Sequence, residues 1–159
     1  MLRSVLKSVL HNIFVVAVGF VVALLGAGID HLLGIADIKG ALADGLACAL
    51  IAAGFLLRTW AAFHFYMRGM DVIVLHVQKH LITTGPHRFS RNPLYRGGNV
   101  FIFCGASLIL GTPGGLALII LHLPLVDFMI RREERQLKET FGDAWRECAA
   151  NPQVDVMQF

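Results

Sequence analysis

Charged residues and cysteine are scarce in this chain, and both shortages exclude classes of protein. Only 16% of the 159 residues are charged and 56% are hydrophobic, which is too apolar for an ordinary soluble domain. The three cysteines are odd in number, and Cys48 and Cys104 lie in apolar runs, so we expect no disulfide framework. The chain is also too short for two large lobes or a doubly wound sheet, which excludes soluble dinucleotide-binding enzymes.

Long uncharged segments predict an all-α protein, an integral membrane helical bundle that forms a single domain over residues 1–159. A spanning helix needs about 20 apolar residues. Four transmembrane helices are therefore expected at about residues 13–34, 41–57, 93–111 and 113–130. Arg58, at the end of the second span, is expected to snorkel to the membrane surface. A basic start before an apolar run is also typical of a cleaved signal peptide, an alternative that would leave an odd number of spans.

The distribution of basic residues predicts the orientation. Of the 14 lysines and arginines, only Lys39 falls in a predicted outer loop. The positive-inside rule therefore places both termini and the long middle loop in the cytoplasm, in a multi-pass protein of the cytoplasmic (inner) membrane. The net charge of +3 reflects this topology, and we predict no nucleic-acid partner.

The third predicted span begins at a sequence that is typical of a helix start. Pro93 suits the first helical turn, and Asn92 before it is a strong N-cap candidate. Free backbone N–H groups and nearby arginines at such a start favour a carboxylate or phosphate ligand. The competing interpretation is a simple cap next to arginines that mark the cytoplasmic side.

The segment after the fourth span has the period of a cytoplasmic amphipathic helix, at about residues 131–148. Glu133 and Glu134 fall inside its apolar sector. A surface pair with Lys138 explains Glu134, whereas the residue four positions after Glu133 is Leu137. Because ionisable groups at membrane-facing positions are commonly functional, Glu133 is predicted to contact a ligand.

A pocket with a positive helix start on one wall and carboxylates on the other suits a zwitterion. An amino-acid-like ligand would place its carboxylate at Asn92 and Pro93, and its ammonium group or ribose hydroxyls against Glu133. A metal or haem site is the competing hypothesis, since His76 and His80 are four residues apart. The nearby Thr-Thr-Gly-Pro is not typical of a sustained helix, so we predict no metal.

Two motifs separated by a helical hairpin resemble a known family. The first is LITTGPHRFSRNPLY at residues 81–95, and the second comprises EERQL at 133–137 and FGDAW at 141–145. Together they resemble the isoprenylcysteine carboxyl methyltransferase family and its relatives, the phospholipid N-methyltransferases. The resemblance implies a membrane methyltransferase that depends on S-adenosylmethionine. Its acceptor would be a lipid or another lipophilic or small membrane-partitioned molecule, methylated at the cytoplasmic face.

The resemblance also implies a set of cofactor contacts, which are His80, Leu81, Ile82, His87, Asn92, Pro93, Leu94, Tyr95 and Glu133. The chain departs from the carboxyl-methylating members at Met129, where those members resemble one another in an arginine. Two alternatives stay open. One is a membrane reductase that binds NADPH, and the other is a non-enzymatic four-span protein in which Asp44 and Asp127 would be acids on a solute path.

Overall fold

The computed structural model describes residues 2–67, 85–88 and 93–150. Over these ranges the chain is helical with short turns and has no β-strand, which confirms the all-α class. The α-helices of this part of the chain are α1 (Leu2–Leu33), α2 (Ala41–Met67), α3 (Val100–Ile109) and α4 (Pro113–Ala150). A 3-10 turn at Gly85–Arg88 and a π-helical turn at Pro93–Asn99 precede α3.

The first two helices are longer than the sequence predicts. Helix α1 begins at Leu2 rather than near residue 13, and α2 continues to Met67 rather than ending near residue 57. The predicted end of the second span rested on Arg58 reaching the membrane surface. That expectation is wrong, because Arg58 is only 2% exposed and lies in the interior. Because the Arg58 guanidinium group has its hydrogen-bond partners inside the bundle, the helix has no reason to end at this position.

The third predicted span is built from two successive pieces. The π-helical turn begins at Pro93, as expected, and α3 follows it for ten residues and ends at Ile109. Helices α1, α2 and α4 are long and apolar enough to cross a membrane, which makes three candidate spans among the described residues. The protein is therefore multi-pass, and the count of four spans stays a prediction.

Helix α4 joins two predicted elements into one. The helix continues to Ala150 through the predicted boundary between a span at 113–130 and a surface helix at 131–148, and the point at which it leaves the membrane stays a prediction. Neither glycine nor proline occurs between Pro124 and Gly142, so a change from apolar to charged side chains leaves the helical backbone intact. The kink comes at Gly142, whose φ of 51° and ψ of −116° lie outside the helical region.

Large apolar side chains cover the outside of the bundle. Leu24 and Leu25 of α1, with Leu121 and Phe128 of α4, are all more than half exposed. Long apolar helices with such outward faces are typical of a protein whose surroundings are lipid rather than water. This surface supports the membrane assignment.

Helices α1 and α4 approach each other closely at two glycines. A Cβ built at Gly26 would overlap the backbone of Gly115. Small residues at such crossings let the backbones of membrane helices pack by van der Waals contact, since lipid supplies no hydrophobic force between helices. The crossing places the end of α1 beside the start of α4.

A buried carboxylate secures this crossing. Asp30 is 2% exposed, and it accepts a 2.5 Å hydrogen bond from Thr112 Oγ1. The Gly114 amide donates to both Asp30 carboxylate oxygens, at 2.9 and 3.1 Å. Thr112 Oγ1 in turn accepts from the Gly115 amide at 3.0 Å. A side chain of α1 thus caps the first turn of α4, and we call Asp30, Thr112, Gly114 and Gly115 the Asp30 cluster.

Candidate functional site

The predicted cofactor contacts fall only partly within the described residues. Four lie outside them, namely His80, Leu81, Ile82 and Asn92. The backbone of His87 belongs to the 3-10 turn Gly85–Arg88. The proposed N-cap at Asn92 and the histidine-based metal hypothesis therefore stay predictions.

The other four predicted contacts lie on the π-helical turn and on α4. Pro93 and Leu94 are buried, and Leu94 belongs to a cluster with Phe65 of α2. Tyr95 is half-buried and within electrostatic range of Glu133, which is half-buried on α4. One residue of each motif is therefore half-buried, Tyr95 on the π-helical turn and Glu133 on α4.

The π-helical turn lies unusually close to α2. A Cβ at Gly98 would overlap the Arg58 side chain, and a Cβ at Gly54 would lie 2.8 Å from the Gly98 carbonyl oxygen. Side chains at either glycine would push the two elements apart. Turns of this type are rare in proteins and frequently occur at functional sites.

Arg58 is a residue of this region that our sequence reasoning missed. Its Nε donates to Asn12 Oδ1 at 3.0 Å, and its Nη2 lies 2.9 Å from His11 Nε2. Its Nη1 donates to the Leu94 carbonyl at 3.1 Å and to Asn99 Oδ1. Because arginine only donates hydrogen bonds, the Nε2 atom of His11 is the acceptor and carries no proton. All four acceptors of this buried cation are therefore neutral groups.

Further hydrogen bonds attach the same region of α2 to α1. Asn12 Nδ2 donates to Thr59 Oγ1 at 2.9 Å, and Ser8 Oγ donates to the Thr59 carbonyl at 3.0 Å. The sequence carried one signal of this arrangement, because Ser8 and Asn12 are four residues apart and so share a face of α1. We call the whole set the Arg58 cluster, which comprises Ser8, His11, Asn12, Arg58, Thr59, Leu94 and Asn99.

The acidic residues of α4 divide into two groups. Asp127 accepts a 2.8 Å hydrogen bond from Arg131 Nε, one turn further along the helix. Glu133 and Glu134 are both half-buried and interact through their charges, whereas Glu139 is exposed. Glu133 is thus less exposed than Glu139 on the same helix.

An apolar groove of about 570 Å³ runs between α3 and α4. Its lining consists of Val100, Ile120, Leu123, Pro124, Val126 and Asp127. Pro124 has no N–H group, so the carbonyl of Ile120 lacks its usual helical donor. The groove therefore offers an apolar surface with a carboxylate among its lining residues.

The described residues contain no group of three histidine, cysteine or acidic side chains that is placed to hold a metal ion. Cys48 and Cys104 are both free thiols.

Comparison with known families gives one match. A family model described as phospholipid methyltransferase matches residues 43–144, nearly two thirds of the chain. The matched segment includes Tyr95 and Glu133 and leaves α1 outside. Searches of curated proteins and of solved structures found no match. The match confirms the resemblance that the two sequence motifs indicated. This chain belongs to the phospholipid methyltransferase family and is a membrane methyltransferase.

Proposed function

We propose that this protein transfers a methyl group from S-adenosylmethionine to a lipophilic acceptor at the cytoplasmic face of the membrane. The observation that carries the proposal is the match to a methyltransferase family over residues 43–144, which include Tyr95 and Glu133. Each residue belongs to one of the two motifs and is half-buried, which supports a pocket that uses both.

The residues proposed to hold the cofactor are those that the motifs indicated, namely His80, Leu81, Ile82, His87, Asn92, Pro93, Leu94, Tyr95 and Glu133. The Glu133 carboxylate suits an ammonium group or ribose hydroxyls, and the helix start at Pro93 suits a carboxylate. The half-buried position of Glu133 strengthens such contacts, because charges interact more strongly where water is partly excluded. When bound, S-adenosylmethionine supplies a methyl group that its sulfonium centre already activates.

The protein's own task is then alignment and exclusion of water rather than acid–base chemistry. Buried Pro93 and Leu94 provide a water-excluding wall next to Tyr95. An amine acceptor would also need a base that keeps its lone pair free, and Glu134 and Asp127 are the candidates on α4. A carboxylate or thiolate acceptor would need none.

The acceptor is proposed to approach from the bilayer along the groove between α3 and α4. The groove wall is apolar except at Asp127, so an acyl or isoprenoid chain would bury apolar surface there. This path agrees with a family that is described by its phospholipid substrates.

The orientation with both termini in the cytoplasm rests on the basic residues, of which 12 of 14 fall in predicted cytoplasmic segments when the buried Arg58 is left out. It can be tested in a cysteine-free background with a membrane-impermeant thiol reagent. Lys39→Cys should be labelled from outside intact cells, and Arg135→Cys should be labelled only after the membrane is opened. Both side chains are exposed, so burial does not distinguish them. The reverse labelling pattern would overturn the orientation.

Calorimetric titration of the purified protein tests the cofactor. The wild-type chain should bind S-adenosylmethionine and its demethylated product, and NADPH should not compete. Glu133→Gln should weaken binding by about 1.5–3 kcal/mol, the usual contribution of a hydrogen bond to a charged group. Exposed Glu139→Gln is the matched control and should change affinity by at most a few tenths of a kcal/mol. Binding of NADPH in place of S-adenosylmethionine would favour a reductase, and equal affinities of the two variants would remove Glu133 from the pocket.

A further inference from the structure

Arg58 has no part in the proposed function. It is nevertheless the largest fully buried side chain in the described part of the chain. A buried cation inside a membrane bundle is expensive, and such groups commonly have a functional reason. Its four hydrogen bonds use four of the five guanidinium N–H groups, so little capacity remains for an anionic ligand. The reason must therefore lie in the groups that Arg58 already holds.

Two of those groups lie at opposite ends of the π-helical turn. Leu94 and Asn99 are five residues apart, which is the spacing of a π-helical hydrogen bond. The single Nη1 atom of Arg58 binds the carbonyl of the first and the side chain of the second. The guanidinium group thus bridges the turn from one end to the other, and Gly98 leaves room for its side chain.

The bridged turn carries Tyr95, directly after Leu94. Tyr95 lies within electrostatic range of both Arg58 and Glu133. We propose that Arg58 is a positioning residue, which holds the π-helical turn Pro93–Asn99 and with it Tyr95 in the cofactor site. The proposal rests on the proposed function, because it takes Tyr95 and Glu133 as cofactor contacts.

Helix α1 completes this arrangement from outside the family match. His11 and Asn12 occupy the Nη2 and Nε sides of the guanidinium group. Without them, Arg58 would be free to turn away from Leu94 and Asn99. In this protein α1 therefore acts on the site through Arg58, although it contributes none of the predicted contacts.

Binding measurements in a double-mutant cycle test the proposal. Arg58→Lys keeps the positive charge but has a single nitrogen, which cannot reach all four acceptors. It should weaken S-adenosylmethionine binding about tenfold in the wild-type background and less than twofold in a Tyr95→Ala background. Asp30→Asn is the stability control, because Asp30 lies about 27 Å along α1 from Asn12. It should lower stability and leave the dissociation constant unchanged.

A second measurement needs no cofactor. Amide hydrogen exchange at residues 94–99 should be about tenfold faster in Arg58→Lys than in the wild type, and unchanged in Asp30→Asn. If Arg58→Lys does not fold, Asn99→Ala replaces it in both measurements, since it removes one acceptor and leaves the charge in place. Unchanged exchange would show that Arg58 does not hold the turn.

The outcomes separate the two proposals. If the wild-type protein does not bind S-adenosylmethionine, the proposed function fails, and with it the link from Arg58 to the cofactor. If the wild type binds but Arg58→Lys binds equally well, only the positioning role fails. Equal losses in the wild-type and Tyr95→Ala backgrounds would show that Arg58 acts on binding by a route other than Tyr95, which also overturns the positioning role.

Discussion

The Asp30 cluster and the Arg58 cluster each bury one charged side chain, and they do so in opposite ways. Asp30 meets a hydroxyl and the amide at the first turn of α4, where the helix dipole is positive. Arg58 meets four neutral acceptors, from α1 and from the π-helical turn. Asp30 thus has a structural role, because the free N–H groups at the start of a helix need hydrogen-bond acceptors. Arg58 caps no helix start and instead joins α1 to the π-helical turn that carries Tyr95, which is the basis of the positioning role proposed for it.

The largest expected effect comes from the helix crossing beside Asp30. Gly26→Leu should lower the free energy of unfolding by about 3 kcal/mol, because the new side chain would overlap the backbone of Gly115, which cannot yield as a side chain can. Gly28→Leu is the matched control, since a Cβ at Gly28 meets nothing within 4 Å. Denaturant unfolding in detergent measures both. Equal effects would mean that close approach at this crossing contributes little.

The second largest effect should come from cofactor binding, which is expected to stabilise the Arg58 cluster and not the Asp30 cluster. At a concentration about one hundred times its dissociation constant, S-adenosylmethionine should raise the free energy of unfolding by about 2.7 kcal/mol. Amide hydrogens that exchange by local opening should exchange more slowly at residues 94–99 and at an unchanged rate at residues 107–112 and 114–115, near the Asp30 cluster. Equal protection of the two segments would contradict a site confined to the Arg58 side.

Removing the charge of Asp30 should have a somewhat smaller effect. Asp30→Asn should cost about 2 kcal/mol of stability, because the amide accepts less well than the carboxylate and leaves Thr112 or Gly114 poorly paired. Asp44→Asn is the control, since Asp44 is exposed in the first turn of α2 and contributes a few tenths of a kcal/mol. Thermal unfolding of both variants measures the difference, and a neutral Asp30→Asn would remove the capping role.

The sequence predicted helix positions that depend on apolar runs and on proline. Helices α2 and α4 begin at Ala41 and Pro113, where the sequence placed the starts of two spans, because apolar runs and proline act locally. It was wrong about Arg58, since the rule that a cation marks the membrane surface takes no account of partners elsewhere in the chain. Asn12, which accepts from Arg58, is 46 residues away.

The candidate site was predicted to a similar degree and for similar reasons. Two motifs far apart in the chain indicated one pocket, and the family match covers Tyr95 of the first motif and Glu133 of the second, while the pocket itself stays a prediction. The π-helical conformation of the turn was not predicted, because it depends on α2 packing against Gly98 and on the bridge from Arg58. Neither interaction leaves a periodic signal in the sequence.

The smallest expected effects are those of replacing two buried serines, one in each region. The change in the free energy of unfolding should have opposite signs at the two positions. Ser8 in the Arg58 cluster donates to the Thr59 carbonyl at 3.0 Å, so Ser8→Ala should cost about 0.6 kcal/mol, the average for hydrogen bonds between membrane helices. Ser107 lies beside Thr112, and its fully buried Oγ has no hydrogen-bond partner within the described part of the chain. Ser107→Ala removes an unsatisfied polar atom and should therefore be neutral or stabilising by a similar amount. Each substitution removes one hydroxyl from a buried helix position, so helix propensity and volume change equally in both variants. Unfolding free energies measured in the same detergent give the comparison, and a loss of stability in Ser107→Ala would mean that its hydroxyl has a partner in the folded protein.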